Sequence, residues 1–123
     1  HLFDYYSNIK FEPAVFFALP VVRQSDPQYF TCYGGGFVAS GEPGWDKVPL
    51  PVWPSESRLV SAEGCGEVQT PLYCTSKEMH LGGVAIFRHA KAGELAERVV
   101  NYTLIDNGTI SQVKTYRGFG FAF

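Results

Sequence analysis

A histidine and a lysine just after an apolar run are the residues of this chain best suited to chemistry. Residues 84–87 are Val, Ala, Ile and Phe, and His89 and Lys91 follow them. An imidazole can exchange a proton near neutral pH, and an ammonium stabilises negative charge. If the strand that the apolar run predicts extends to residue 91, both side chains lie on one face. The pattern then predicts one wall of a polar pocket, whereas the simpler alternative is a surface turn with solvated charges.

Two acidic residues and a cysteine form a second alternating pattern. Glu63, Cys65 and Glu67 would face the same side of a strand. Two carboxylates on one face can differ in pKa, so that one serves as acid and the other as base. The alternative is a bulged strand whose carboxylates are solvated.

Arg117 follows Tyr116 at the end of the second strand of a predicted hairpin. A guanidinium at this place could bind a carboxylate through two hydrogen bonds. The alternative is a surface arginine at the exit of the chain.

Residues 34–41, GGGFVASG, are similar to a glycine-rich dinucleotide-binding loop. Such a loop must open a helix, but Gly41, Pro43 and Gly44 follow and disfavour one. We therefore interpret the run as part of a strand, whose glycines allow a bend or a close approach of another backbone segment.

The composition limits the class of protein. Aromatic residues make up 15% of the 123 residues, and with 13 glycines and 8 prolines they favour strands and turns over a helix bundle. The formal net charge of −2 provides no general attraction to nucleic acids or anionic membranes. No apolar run is long enough to cross a bilayer. We expect a cytoplasmic protein with neither nucleic-acid nor membrane partners.

The cysteines and sequons allow few further conclusions. The chain has three cysteines, Cys32, Cys65 and Cys74, and no CxxC motif. An odd number without such a motif argues against a disulfide framework or a zinc ribbon. Asn101 and Asn107 each begin an N-x-T sequon. These permit one further alternative, a secreted glycosylated β-sandwich.

Short alternating segments predict a mainly β fold. A buried strand is predicted at residues 14–22, with Pro20 marking an edge or bulge, and a strand region interrupted by its glycines at 29–40. Further strands are predicted at 57–63 with an extension over 66–70, and at 84–89, 102–106 and 109–113. The proline-rich residues 41–54 are predicted as a surface loop, and residues 94–98 as one helical turn. Asn107-Gly108 is the strongest hairpin signal, because both central positions of a type I′ turn require positive φ. We predict a small closed or nearly closed β-barrel with a C-terminal hairpin and at most short helices.

Four segments together are similar to the amino acid deaminase/aldolase family, to which D-threonine aldolases and D-serine dehydratases are related. They are GGGFVASG at 34–41, EGCGEVQTPL at 63–72, RHAKAGELAER at 88–98 and TYRGFG at 115–120. Their order and spacing fit along nearly the whole chain. These are pyridoxal-phosphate enzymes of the alanine racemase-like fold, with a C-terminal β-domain beside the barrel that holds the cofactor. The resemblance implies that residues 1–123 form one β-domain, and that the cofactor-binding barrel of a longer enzyme precedes residue 1.

The resemblance also implies an activity and roles for residues. The reaction would be aldol cleavage, or dehydration and deamination, of a small amino acid that carries a 3-hydroxyl group. His89 is the expected acid or base at that hydroxyl, Lys91 its electrostatic partner, and Glu63 the residue that orients one of them. The expected substrate contacts are Cys65, Tyr116 and Arg117. Pyridoxal phosphate is expected on the missing N-terminal barrel domain, so this chain alone would bind no cofactor and be inactive.

One position departs from the family pattern. The relatives carry Cys or Asp two residues after the histidine, and that pair binds a divalent metal, whereas this chain has Lys91. Because a protonated ammonium cannot ligate a cation, we expect no divalent metal at His89.

Separation from a partner domain would expose apolar surface, so a homo-oligomer is also expected, with Phe16, Phe17 and residues 119–123 as candidate contacts. The alternative function, from a different class, is a self-contained β-barrel that acts as a ligand-binding or assembly module without catalysis.

Overall fold

The chain folds mainly into β-strands in a computed structural model, which describes residues 12–42, 44–61 and 64–115. The strands and the helix, in chain order, are β1 Phe16–Asp26, β2 Tyr29–Tyr33, β3 Leu50–Trp53, β4 Ser57–Leu59, β5 Gln69–Cys74, β6 Val84–Arg88, α1 Ala92–Arg98, β7 Asn101–Asp106 and β8 Thr109–Lys114. The chain divides after Lys91 into two compact units. The first unit contains β1 to β6, and the second contains α1, β7 and β8.

Six antiparallel strands form the sheet of the first unit, in the order β3-β6-β1-β2-β5-β4. The two edge strands, β3 and β4, are separated in sequence only by residues 54–56, and they contact each other. Because a short connection holds the two edges together, the sheet curls into a nearly closed, barrel-like shape. The predicted fold class is confirmed.

Alternation of the side chains places the core on the inner face of this sheet. In β6, Ala85 and Phe87 are fully buried, while their neighbours are partly or fully exposed. Leu72 on β5 and Cys32 on β2 are also fully buried. The ring of Phe17 stacks on Phe87 with centroids 5.2 Å apart. Burial of these side chains from water is the main favourable contribution to folding of this unit.

The second unit contains a short helix and the predicted hairpin. In α1, Glu94 in the first turn and Arg98 in the last turn both complement the helix dipole. Strands β7 and β8 pair from Asn101–Lys114 to Asp106–Thr109. Asn107 and Gly108, with φ of 47° and 85°, occupy the two central positions of the turn. Both values are positive, as a type I′ turn requires, so the hairpin prediction is confirmed.

Two predictions about prolines were wrong. Residues 50–53 form β3, although they lie in the predicted loop and include Pro51. A proline cannot donate to the sheet, but β3 is an edge strand that bonds to β6 alone, so the missing N–H is tolerated. The run at 14–22 is not a buried strand, since β1 continues through Pro20 with exposed and buried residues interleaved. The pairing of β1 with β2 shifts register between Val21 and Arg23, close to the predicted bulge.

Two predicted strand boundaries were also wrong. The strand region predicted over 29–40 is interrupted by its glycines as predicted, but no strand resumes after them within that range. The strand ends at Tyr33, because Gly34 and Gly35 adopt φ of 76° and 105° and leave the extended conformation. The strand predicted over 57–63 ends at Leu59. Residues 69–74 do not extend it but form β5, which turns back and pairs antiparallel with β4.

Candidate functional site

Two segments that are distant in sequence meet where the glycine run leaves β2. The backbone N–H of Gly34 donates to the carbonyl of Val68 at 2.8 Å. The Thr70 hydroxyl, which is fully buried, donates to the carbonyl of Gly34 at 2.7 Å. Residues 34–41 and 64–72 of the family-like segments therefore form one continuous hydrogen-bonded surface.

Gly36 shows why a glycine is needed at this junction. A Cβ atom on Gly36 would lie 2.9 Å from the backbone nitrogen of Glu67 and 3.1 Å from the carbonyl carbon of Gly66. A distance below 3.0 Å is essentially never seen for a real Cβ atom, and a backbone atom cannot move aside as a flexible side chain can. The glycine run allows a close backbone approach, as interpreted from the sequence, and no helix follows it within residues 37–42.

The structure places His89 immediately after β6, in a buried position with 4% of its surface exposed. Its Nδ1 lies 2.9 Å from the backbone nitrogen of Lys91 and 2.6 Å from the backbone carbonyl oxygen of the same residue. Nδ1 can accept from the N–H when it carries no proton, or donate to the carbonyl when it does. Either interaction fixes the ring against the turn at 89–91, and the other ring nitrogen, Nε2, is buried from solvent.

The side chain of Lys91 is held by the glycine run rather than by His89. Its Nζ donates to the carbonyl oxygen of Ser40 at 3.0 Å and lies 3.4 Å from the Ser40 hydroxyl. Strand β6 ends at Arg88, so the condition under which His89 and Lys91 would share a strand face is not met. They are neighbours because the His89 ring contacts the Lys91 backbone.

An ion pair between Lys47 and Asp46 lies near Lys91. Lys47 Nζ donates to Asp46 at 2.9 Å, and Ala39 N–H donates to the Lys47 carbonyl at 2.7 Å. The pKa of the Asp46 carboxyl is lowered, first by the hydrogen bond from Lys47 and in smallest part by the charge of Lys91. Sequence reasoning did not identify Ser40 or Asp46, although Ser40 belongs to the family-like glycine segment.

Residues 64–68 are not part of a strand, so the prediction that Cys65 and Glu67 share a strand face was wrong, while Glu63 lies outside the described residues. The segment is irregular because Gly64 N–H turns back to Ser61 and Gly66 N–H to Gln69. Cys65 is half-buried and packs against the barrel core.

The environment of Cys65 determines its reactivity. Burial raises the pKa of the Cys65 thiol, and likewise that of Cys32, to about 11. Because the neutral thiol is favoured, Cys65 is suited to packing or to contact with a substrate rather than to nucleophilic attack.

We expect Cys65 to react slowly with iodoacetamide in the folded protein. Raising the pKa from 9.0 to about 11 lowers the thiolate fraction near pH 8 by about a hundredfold. Mass mapping of the modified cysteines over time, with the protein unfolded in urea as the reference, measures this ratio. Folded Cys65 that reacts as fast as unfolded Cys65 would contradict the assignment.

Three of the predicted site residues, Glu63, Tyr116 and Arg117, lie outside the described residues, as does the apolar segment 119–123. The expected role of Glu63 in orienting His89 or Lys91 therefore stays a prediction. Phe16 is 45% exposed, and self-association through it also stays a prediction. Within residues 12–42, 44–61 and 64–115, no three His, Cys, Asp or Glu side chains cluster as a metal site would require.

A cavity of about 480 Å³ opens elsewhere on the first unit, between the edge strands β3 and β4. Three aromatic side chains and one cationic side chain are among the residues that line it: Tyr29, Trp45, Tyr73 and Arg58. Neither His89, Lys91 nor Cys65 lines it. Local sequence patterns do not indicate this cavity, because it depends on the closure of the sheet.

No family model, curated protein or solved structure matches this chain. In the part of the chain that the structure describes, no helix has the length and apolarity needed to cross a membrane.

Proposed function

We propose that this chain is the C-terminal β-domain of a pyridoxal-phosphate-dependent enzyme that cleaves or deaminates 3-hydroxy amino acids. The chain supplies part of the active-site wall and is inactive alone. The observation that carries this proposal is the convergence of three family-like segments. Residues 34–41 bond to residues 64–72 through Gly34, and to the 88–98 segment through Ser40 and Lys91.

This convergence supports the proposal because sequence proximity does not produce it. Ser40 and Lys91 are 51 residues apart, and Thr70 and Gly34 are 36 apart. The pairing of β2 with β5 brings the first two segments together, and the bond between Lys91 and Ser40 adds the third. Segments that together form one wall of an active site must meet in space.

In this proposal, His89 moves the proton at the substrate hydroxyl. Its Nδ1 is anchored on the Lys91 backbone, so the ring has one orientation and Nε2 is the working nitrogen. When the hydroxyl leaves as water, the imidazole donates a proton to it. When the C–C bond beside it breaks instead, the imidazole accepts the hydroxyl proton.

Lys91 supplies positive charge near the same substrate. Its ammonium is held 3.0 Å from the Ser40 carbonyl, so its position is fixed before a substrate arrives. A fixed cation stabilises developing negative charge better than a mobile one, because no reorganisation is needed during the reaction. This charge takes the part that a divalent metal plays in the relatives, and no metal is proposed here.

The described lysines around this site do not fit as carriers of the cofactor. Lys91 Nζ donates to Ser40, and Lys47 Nζ pairs with Asp46. We therefore propose that pyridoxal phosphate binds to the preceding barrel domain, where it withdraws electrons from the bound amino acid.

Turnover by the parent protein tests this function. The purified parent, supplied with pyridoxal phosphate, is incubated with D- and L-threonine and with D- and L-serine. Glycine and an aldehyde indicate aldol cleavage, and ammonia and a 2-oxo acid indicate dehydration and deamination. If none of these substrates yields either set of products, the proposal is contradicted. Turnover by the isolated chain would contradict the proposed inactivity of this chain alone.

The cavity between β3 and β4 favours a second candidate function, a self-contained binding or assembly module. It is lined by residues that the catalytic proposal does not use. A parent protein without cofactor and without turnover, but with a saturable ligand, would favour this candidate.

A further inference from the structure

We propose that the cavity between β3 and β4 binds a small carboxylate with an aromatic body, whose ring lies against Tyr29, Tyr73 and Trp45 and whose carboxylate pairs with Arg58. This site is separate from the one built around His89 and Lys91, and the inference does not rest on the proposed function.

The size of the cavity fits a small organic ligand. Its volume of about 480 Å³ lies within the range of roughly 300 to 1,000 Å³ that is typical of small-molecule sites. Leu50 and Pro51 of β3 form one side, and Arg58 and Leu59 of β4 form the other. The site therefore lies where the sheet fails to close completely, and a ligand there would contact both edges.

Aromatic side chains provide a surface for a ring. Tyr29 and Tyr73 are cross-strand neighbours on β2 and β5, and their rings meet edge to face at 5.2 Å. Trp45 lies in the same lining and is 60% exposed, while Tyr29 is 43% exposed. Exposed apolar surface of this kind costs free energy in water and is covered when a flat ligand stacks on it.

The charge of the residues that line the cavity indicates which charged group the ligand carries. None of the described residues that line the cavity is acidic, and Arg58 is the cation among them. The Arg58 guanidinium lies over the Tyr73 ring, 4.4 Å from its centroid. No carboxylate in the described parts of the chain lies within ion-pair distance of Arg58. A guanidinium over a ring keeps in-plane N–H donors, and these match the two oxygens of a carboxylate.

The exposed Arg58 side chain lies against Tyr73. Tyr73 is held by a 3.1 Å hydrogen bond between its hydroxyl and Gln28, and Arg58 is its cross-strand partner in β4 and β5. Because the sheet brings Arg58, Tyr29 and Tyr73 together, part of the binding surface is already arranged before a ligand binds. An aromatic carboxylate can cover the aromatic lining with its ring and pair with Arg58 through its carboxylate.

Calorimetric titration of the whole 123-residue chain tests the proposal with three probes. These are 3-phenylpropanoate, its uncharged amide, and propanoate, which lacks the ring. We expect the phenyl acid to bind, and the amide and propanoate each to bind about tenfold more weakly or not detectably. Arg58→Gln should weaken the acid to the level of the amide. Arg23→Gln is the matched control, because Arg23 bonds to Thr31 and Gln69 and does not line the cavity.

Three results would overturn the proposal. The first is equal affinity of the protein for 3-phenylpropanoate and its amide. The second is an Arg58→Gln variant that still prefers the acid to the amide. The third is no saturable binding of the acid at millimolar concentration. Trp45→Phe provides a second readout: ligand-induced change in tryptophan fluorescence should be lost in this variant and kept in Trp53→Phe, since Trp53 is not among the lining residues. The titration needs neither cofactor nor turnover, so failure here and failure of the catalytic proposal are distinguishable.

Discussion

Replacement of His89 by asparagine in the parent protein is expected to lower kcat by about a hundred- to ten-thousand-fold, the range lost with a general acid or base. Asparagine carries an amide near the place of Nδ1, so it can keep the hydrogen bond to the Lys91 backbone. It has no counterpart of Nε2. The variant therefore removes proton transfer while it preserves the turn at 89–91. Steady-state kinetics with the best substrate, as a function of pH, measures the effect.

His80→Asn is the matched control for this experiment. His80 also has its Nδ1 on a nearby backbone carbonyl, that of Glu78 at 3.1 Å, but it is exposed and lies outside the family-like segments. We expect its kcat to stay within about twofold of wild type. If His89→Asn retains kcat and the pH profile but loses stability, His89 holds the turn and does not transfer a proton.

Replacement of Gly36 by alanine should destabilise the first unit by about 3 kcal/mol, at the upper end of the usual cost of overpacking. The added methyl would lie 2.9 Å from the Glu67 nitrogen, so the backbone of residues 66 and 67 must move. Urea denaturation measures the free energy of unfolding. This loss corresponds to a change of roughly 150-fold in the folding equilibrium.

Gly93→Ala is the control for the glycine experiment. A Cβ on Gly93 meets nothing within 4 Å, and Gly93 lies in α1, where alanine is the better helix former. The control should be neutral or slightly stabilising. A Gly36→Ala variant as stable as wild type would mean that the two segments do not approach this closely.

The sequence predicts elements well where local chemistry decides the outcome. Asn107 and Gly108 determine a hairpin by their positive φ alone, and the alternating residues of β6 determine which side chains are buried. Prediction from the sequence fails where the outcome depends on which strands pair with each other. Pro51 is tolerated only because β3 is an edge strand, and residues 66–70 reverse direction because β5 pairs with both β2 and β4.

The candidate site was predictable to a similar degree. The closeness of His89 and Lys91 follows from their spacing. The contact of His89 Nδ1 with the Lys91 backbone depends on the turn at 89–91, and the bond from Lys91 Nζ to Ser40 depends on the loop after β2. The cavity at Arg58 could not be read from the sequence, because Tyr29, Trp45 and Tyr73 come together only when the sheet curls.

Visible absorbance of the purified parent protein tests the central claim most directly. We predict that the protein, after incubation with pyridoxal phosphate and removal of the excess, keeps the visible absorbance of cofactor bound to a lysine. Borohydride reduction should then attach the cofactor covalently to a peptide that precedes His1 in the parent. A protein that retains no visible absorbance, or a reduced cofactor on Lys47 or Lys91, would contradict the proposed function.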